Sequence, residues 1–110
     1  MKKIFLSLIS LALLLQVGCT TIRYSEEEIK GFLPEVQDYI RKGQVAVGMT
    51  PQQVRYSWGA PDSIRTLVPT EDGKSVEEWT YKRFEVFKTR LIFSDGKVTT
   101  IVTDDPGVRR

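Results

Sequence analysis

The side chain with the most distinctive chemistry in this sequence is the thiol of Cys19, which can act as a nucleophile or accept a modification. It is the only cysteine, and it follows a segment that starts with Lys2 and Lys3 and is apolar over residues 4–15 apart from two serines. This run is shorter than the ~20 residues of a bilayer span and is typical of a secretory signal. An exported chain with one cysteine cannot form an internal disulfide, so the position of the thiol predicts a modification.

The residues around Cys19 resemble the lipobox of bacterial lipoproteins, with the small residue Gly18 directly before the cysteine. The resemblance implies that the thiol carries diacylglycerol, that the chain is cut before it, and that the new amino terminus is acylated. Leucine usually stands three residues before the cysteine, where this chain has Gln16. The alternative is an ordinary signal peptide cut near Gly18, or a free thiol left beside the cut. Thr20 differs from the aspartate that retains some lipoproteins at the inner membrane, so the resemblance favours the periplasmic face of the outer membrane.

The other residue types give little support for catalysis or for a metal site. The chain has no histidine, which is the usual general base and the commonest metal ligand. Its acids cluster at residues 26–28, 77–78 and 104–105, without the alternating spacing of a calcium loop. We therefore predict a protein that is not an enzyme and that has no cofactor, metal or small-molecule substrate.

The charge balance argues against a nucleic-acid partner. The full chain has 16 basic and 14 acidic residues, and residues 1–18 contain two lysines and no acid, so the remainder carries 14 of each sign. A nucleic-acid-binding domain of this size would show a clear basic excess.

The chain is predicted to contain one folded domain. Residues 1–18 are assigned to a lipoprotein signal peptide, 19–24 to a tether, 25–103 to the domain and 104–110 to a disordered tail. Removing 18 residues from 110 leaves 92, enough for one small core. The five residues that follow Cys19 in the tether reach at most ~17 Å, so the domain would lie close to the membrane.

Two helices are predicted at the start of the domain. In the first, Ser25 fits an N-cap with Glu28 as its capping-box partner, and Pro34 predicts a kink or a restart. Four apolar residues at helical spacing should form its buried stripe: Ile29, Leu33, Val36 and Ile40.

The second helix is expected within the segment GMTPQQVRYSWGAP, residues 48–61. Thr50 is placed as N-cap with Gln53 as its capping-box partner, and Met49 and Val54 can form a hydrophobic staple. Gly59 suits the residue that ends the helix, and the proline at position 61 prevents its continuation.

A period of two predicts strands in the second half of the chain. Residues 76–84 alternate, with Trp79 and Tyr81 on the core face, and residues 62–68 form a further candidate strand. Asp95-Gly96 predicts a hairpin between residues 87–93 and 98–102. A two-residue loop would align three pairs on the core face and leave Ile101 on the reverse face: Phe93 with Val98, Leu91 with Thr100, and Thr89 with Val102. The predicted fold is α+β, with two N-terminal helices packed on a three- to four-stranded antiparallel meander sheet.

Several of these residues also resemble the SmpA/OmlA lipoproteins, the family of the small E subunit of the outer-membrane β-barrel assembly machinery (the BamE-like domain). The resemblance covers residues 43–103, with Trp58 where leucine is usual. It rests on Gly48-Met49-Thr50, Val54, Trp58-Gly59-Ala60-Pro61, Trp79-x-Tyr81 and Leu91-x-Phe93-Ser94-Asp95-Gly96-Lys97-Val98. It implies a lipid-anchored, non-enzymatic binding module that supports outer-membrane protein assembly or envelope integrity. Its partners would be the bilayer, through acylated Cys19, and a protein such as an outer-membrane assembly complex.

Aromatic and arginine side chains outside the predicted core are the candidates for partner contact. Tyr56 lies two residues from Val54 on the helix and is expected to be largely exposed. The predicted contact residues are Arg55, Tyr56, Phe84, Lys88 and Arg90. The alternative interpretation is that they are scattered surface residues.

An inhibitor of an exported enzyme is the second functional hypothesis, because the module is also similar to the repeated unit of β-lactamase inhibitory proteins. Such an inhibitor needs a protruding acidic or aromatic loop that can enter a cleft. Residues 69–78 are the candidate loop, with the acids Glu71, Asp72, Glu77 and Glu78.

Overall fold

A computed structural model describes residues 22–109, so the predicted signal peptide and Cys19 lie outside the described residues. Within this range three helices precede four strands: α1 (Glu26–Ile29), α2 (Pro34–Arg41), α3 (Pro51–Trp58), β1 (Ser63–Leu67), β2 (Val76–Arg83), β3 (Phe87–Ser94) and β4 (Lys97–Thr103). The strands form one antiparallel sheet in the order β1-β2-β3-β4. The predicted α+β fold is confirmed. No helix between residues 22 and 109 is long and apolar enough to cross a membrane.

The first predicted helix is divided into α1 and α2. Ser25 and Glu28 form the expected capping box, with bonds of 3.0 and 3.2 Å, and Pro34 begins α2. Because a residue before proline is driven to extended backbone, Leu33 has a ψ of 145° and its side chain is 64% exposed. The prediction that Leu33 belongs to the buried stripe is therefore wrong, whereas Ile29 and Ile40 are buried.

The boundaries of α3 follow the local sequence. The side chain of Thr50 accepts from the Gln53 backbone at 3.2 Å and the side chain of Gln53 accepts from the Thr50 backbone at 3.0 Å, so the capping box is confirmed. Met49 and Val54 on either side of the cap are both buried. Gly59 ends the helix with a φ of 80°, a conformation that side-chain-bearing residues rarely adopt.

The helices cover one face of the sheet, and the core lies between the two layers. Trp79 is buried as predicted, and Trp58 and Tyr81 are partly buried against the core. The fully buried apolar residues are Ile29, Ile40, Val45, Met49, Val54, Trp79, Leu91, Phe93 and Val98. On the opposite face, which we call the open face, side chains of β3 and β4 such as Lys88, Arg90, Thr100 and Val102 are exposed.

A β-bulge changes the register of the β3–β4 hairpin. Phe93 pairs with Val98 as predicted, but Leu91 then lies opposite Ile101 because Thr99 is an extra residue in β4. The predicted pairs Leu91 with Thr100 and Thr89 with Val102 are therefore wrong. A register shift of one residue exchanges the core-facing and solvent-facing side chains of a strand. Ile101 therefore packs against the core and Val102 is 45% exposed.

Candidate functional site

The turn between β2 and β3 presents two apolar side chains to solvent. Phe84 and Glu85 have φ values of 56° and 59°, and the Val86 N–H donates to the Arg83 carbonyl at 3.2 Å, as in a type I′ turn. Phe84 is 77% exposed and Val86 is 71% exposed. Two successive residues other than glycine in the left-handed region are costly, and strained backbone of this kind is enriched at functional sites. We call residues 84–86 the hairpin tip.

Arg83 holds the hairpin tip in place. Its guanidinium carbon lies 5.3 Å from the ring centre of Phe84 and 5.6 Å from that of Phe87, and a guanidinium nitrogen donates a hydrogen bond to the carboxylate of Asp105. The Asp105 side chain is only 4% exposed. The same carboxylate also accepts from the Gly107 N–H at 2.8 Å. The hydrogen bond from Arg83, supported by the one from Gly107, lowers the pKa of Asp105.

The contacts of Asp105 also bear on the predicted tail. The Asp105 N–H donates to the Thr103 hydroxyl at 3.0 Å, and the Asp104 carboxylate accepts from the Lys88 N–H at 2.8 Å. The prediction of a disordered tail from Asp104 onward is therefore wrong for Asp104 and Asp105, which are hydrogen-bonded to β3 and β4.

Three cations form a group on the open face beside the hairpin tip. Lys82 of β2 pairs directly with Lys88 of β3, and Arg90 lies two residues further along the same face. All three side chains are exposed, and none of them has an ion-pair partner between residues 22 and 109. Like charges directly opposite one another destabilise a sheet, so stability does not explain this arrangement. We call Lys82, Lys88 and Arg90 the open-face cations.

The structure separates the five predicted contact residues into two sets. Phe84, Lys88 and Arg90 lie on the β2–β3 hairpin, at the hairpin tip and among the open-face cations. Arg55 and Tyr56 lie on α3, on the helix-covered side of the sheet, where the Arg55 guanidinium stacks 4.8 Å from the ring centre of Trp79.

Tyr56 is more enclosed than its position on the helix predicts. Its ring centre lies 6.1 Å from that of Phe32, and it packs against the core. Burial, together with the nearby Glu28 carboxylate, raises its pKa. The expectation of a largely exposed Tyr56 is wrong because Phe32, in the connection between α1 and α2, covers it. The helical wheel of α3 alone contains no signal of this contact.

The domain also contains a cleft of about 470 Å³, which was not expected from the sequence. The ring centres of Trp58 and Tyr81 lie 5.1 Å apart in edge-to-face contact on its wall. The hydroxyls of Thr89 and Thr103, both buried, are 2.7 Å apart. The lining residues are Arg23, Gly43, Ser57, Trp58, Tyr81, Lys82, Arg83, Phe87, Thr89, Asp105, Gly107 and Val108. They come from both ends of the described chain, so no local sequence pattern could identify the set.

The polar groups of Trp58 and Tyr81 already have hydrogen-bond partners within the domain. The Trp58 Nε1–H donates to the Gly43 carbonyl at 2.9 Å, and the Tyr81 hydroxyl donates to the Gly59 carbonyl at 2.8 Å. Burial also raises the pKa of Tyr81, so its hydroxyl stays protonated at neutral pH. The two rings are therefore fixed by hydrogen bonds and offer mainly apolar surface to the cleft.

Two of the four acids in the loop expected for an inhibitor are paired with cations. Asp72 lies 3.6 Å from the Lys74 ammonium, and Glu78 lies 3.0 Å from Arg65. Glu77 accepts a hydrogen bond from the Trp79 indole. In the described part of the chain Glu71 and Glu77 have no cationic partner, so about half of the negative charge expected for this loop is paired within the domain.

Residues 22–109 contain no group of three or more histidine, cysteine, aspartate or glutamate side chains placed to hold a metal ion. Comparison of the chain with protein families, with characterised proteins and with solved structures finds no match. The fold defines the protein as an α+β domain with a four-stranded meander sheet. The resemblance to the SmpA/OmlA lipoproteins stays a prediction.

Proposed function

We propose that this protein is a lipid-anchored, non-enzymatic binding module on the periplasmic face of the outer membrane, where it supports outer-membrane protein assembly or envelope integrity by holding a protein partner. The observation that carries the proposal is the exposure of Phe84 and Val86 on a hairpin tip next to the three open-face cations. The lipobox-like residues around Cys19 and the family resemblance support the location.

The hairpin tip has the properties of a preorganised contact. Phe84 and Val86 are neighbouring exposed apolar side chains on one turn, and clustered exposed apolar residues are typical of contact surfaces. Arg83 and the turn fix the position of Phe84 before any partner arrives, so little conformational entropy is lost on binding. The neighbouring cations would increase the rate of encounter with an acidic partner and select against basic ones.

The anchor would limit where the module can act. Three acyl chains at Cys19 exceed what a single reversible anchor provides, since each buried methylene contributes ~0.8 kcal/mol. Five residues separate Cys19 from Ser25, so the first residue of the domain stays within ~20 Å of the acylated residue. Such a module would meet membrane-embedded or membrane-bound partners in preference to freely diffusing ones.

Photocrosslinking in cells tests this function. A photoreactive phenylalanine derivative is placed at position 84 or 88, and at Gln52, an exposed residue of α3, as the matched control. We expect positions 84 and 88 to capture a subunit of the outer-membrane assembly machinery and position 52 to capture none. The proposal fails if neither hairpin position captures an envelope protein, or if position 52 captures the same proteins with equal yield.

A further inference from the structure

The start of the described chain lies at the same end of the sheet as the hairpin tip. A Cβ at Gly59 would lie 2.7 Å from Nε and 3.1 Å from Cδ of Arg23, so the Arg23 side chain lies directly against the end of α3. Arg23 also lines the cleft together with Arg83 and Phe87, the two residues that flank the hairpin tip. The segment that leads back to Cys19 therefore leaves the domain beside the base of the β2–β3 hairpin.

The other turns of the sheet lie at its opposite end. In the antiparallel order β1-β2-β3-β4, the β2–β3 turn is at one end of the strands, and the β1–β2 loop and the β3–β4 turn are at the other. Since β3 has eight residues, it separates the hairpin tip from the Asp95-Gly96 turn by roughly 25 Å. We call the end that carries Arg23 and the hairpin tip the anchor end.

A short tether would hold the anchor end close to the bilayer. Arg23 is four residues from Cys19, so their Cα atoms lie at most ~14 Å apart. This reach is shorter than the roughly 25 Å between the two ends of β3. Acylation of Cys19 would therefore keep the hairpin tip near the lipid headgroups, with the Asp95-Gly96 turn on average further from them.

The composition of the hairpin tip selects the kind of surface that it can contact there. Phe84 and Val86 are exposed apolar side chains, but Glu85 between them is also exposed. Insertion of the tip into hydrocarbon would remove the Glu85 carboxylate from water without a partner, which is costly for a charged side chain. A protein surface can bind both apolar side chains and donate a hydrogen bond to the carboxylate. The tip is thus suited to a protein at the bilayer surface rather than to the bilayer interior.

We propose that the hairpin tip contacts a membrane-embedded protein at the level of the headgroups, with the anchor end of the domain facing the bilayer. This inference rests on the proposed function, because it needs the anchor at Cys19 and a protein partner. It adds the orientation of the domain and the class of the partner. A water-soluble periplasmic protein has no fixed surface at this level.

Paramagnetic relaxation measures the orientation without a protein partner. Cys19 is the only cysteine, so the ¹⁵N-labelled chain 19–110 can be coupled through its thiol to a maleimide lipid in phosphatidylcholine nanodiscs, independently of lipidation in cells. With a nitroxide on the lipid headgroup, we expect the amide signals of the hairpin tip to be broadened several-fold more than those of Asp95 and Gly96. The lipid has no net charge, so charge attraction cannot produce this result. Equal broadening at the two ends, or stronger broadening at Asp95 and Gly96, overturns the proposed orientation.

A lengthened tether is the matched variant. Insertion of about 20 glycine and serine residues between Thr21 and Ile22 leaves the described domain unchanged and adds an r.m.s. reach of roughly 25 Å. We expect the difference in broadening between the hairpin tip and the Asp95-Gly96 turn to disappear. Persistence of the full difference would show that the tip itself binds lipid and would overturn the tether as the cause of the orientation.

The depth of the hairpin tip and the class of its partner are tested separately. A nitroxide placed within the acyl chains should leave the tip amides sharp, whereas strong broadening would show insertion into the bilayer and overturn a protein contact. Proteins captured in cells from position 84 should contain membrane-spanning segments, and capture of only water-soluble proteins or lipoproteins overturns the partner class. Absence of any captured protein refutes the proposed function, whereas a different orientation or a soluble partner refutes only this inference.

Discussion

Arg83 at the end of β2 donates a hydrogen bond to the buried carboxylate of Asp105, 22 residues later in the chain. The guanidinium lies over Phe84 and Phe87 at the same time. One side chain thus connects the hairpin tip, the cleft and the segment that follows β4. Loss of this hydrogen bond should affect all three regions together.

Asp105→Asn is expected to destabilise the domain at neutral pH, because the amide cannot form the charged hydrogen bond with Arg83. The folded pKa of Asp105 lies below the ordinary value of 3.8. Its charge therefore stabilises the fold above that value, and the contribution is lost as the pH falls through the lower folded pKa. Urea unfolding of wild type and variant should show a difference at pH 7 that shrinks as the pH falls below about 4. Asp95→Asn, in the exposed β3–β4 turn, is the control, and a pH-independent difference for Asp105→Asn would contradict the expectation.

Phe84→Gly and Phe84→Ala should separate stability from partner binding. Both remove the exposed ring, but glycine accepts the φ of 56° whereas alanine keeps the strain. We expect the glycine variant to be more stable than the alanine variant by about 1 kcal/mol. Both should capture less partner from a photoreactive residue at position 88. Thermal unfolding and crosslink yield measure the two effects, and undiminished capture by both variants would exclude the ring as a contact.

Tyr56→Ala should lower stability and leave partner capture unchanged, because Tyr56 packs against Phe32 and the core. We expect a loss of about 2–3 kcal/mol in the free energy of unfolding, in the lower range for truncation of a partly buried aromatic residue. Crosslink yield from position 88 should not change while the variant is folded. Denaturant unfolding measures the loss in the free energy of unfolding. A loss below about 0.5 kcal/mol would show that Tyr56 is a surface residue.

Gly59→Ala should destabilise α3 and displace Arg23. The added Cβ would lie 2.7 Å from Arg23 Nε, and alanine would also have to adopt a φ of 80°. We expect a loss of about 1–3 kcal/mol in thermal unfolding. Gly31→Ala is the matched control, since a Cβ there meets no atom within 4 Å and its φ lies outside the positive range. Equal stability of the two variants would contradict the strained backbone conformation of residue 59.

Cys19→Ala tests the anchor, although residue 19 lies outside the described residues. We expect the variant to lose palmitate incorporation and to leave the membrane fraction while its thermal unfolding stays cooperative, because the first helix cap is at Ser25. Radiolabelled palmitate and fractionation give the measurement. Unchanged palmitate labelling would show that residues 1–18 are not a lipoprotein signal peptide.

Features set by neighbouring residues could be predicted from this sequence. The capping boxes at Ser25 and Thr50 and the Asp95-Gly96 turn depend on contacts within a few residues, and each forms as expected. The burial of Tyr56 depends on Phe32, 24 positions earlier, and a helical wheel does not contain that information.

The register of β4 shows the same limit within a strand. The hairpin alone favours Val102 as a core residue, but the bulge at Thr99 exposes it. The residues of the hairpin and of the cleft also differ in how well the sequence predicts them. Phe84, Lys88 and Arg90 could be picked out as surface residues, whereas the lining of the cleft could not.

The extra residue at Thr99 also affects how copies of the chain meet. Lipid anchors would confine many copies to one plane, where the local concentration is high and a regular outer edge of β4 could pair with another sheet and begin aggregation. The Thr99 hydroxyl instead donates to the Ile92 carbonyl at 3.2 Å, and the bulge interrupts the ladder of edge groups. At the other edge, β1 is only five residues long and carries the charged Arg65. Both edges are thus poorly suited to self-association, which would allow the module to remain monomeric on a crowded membrane.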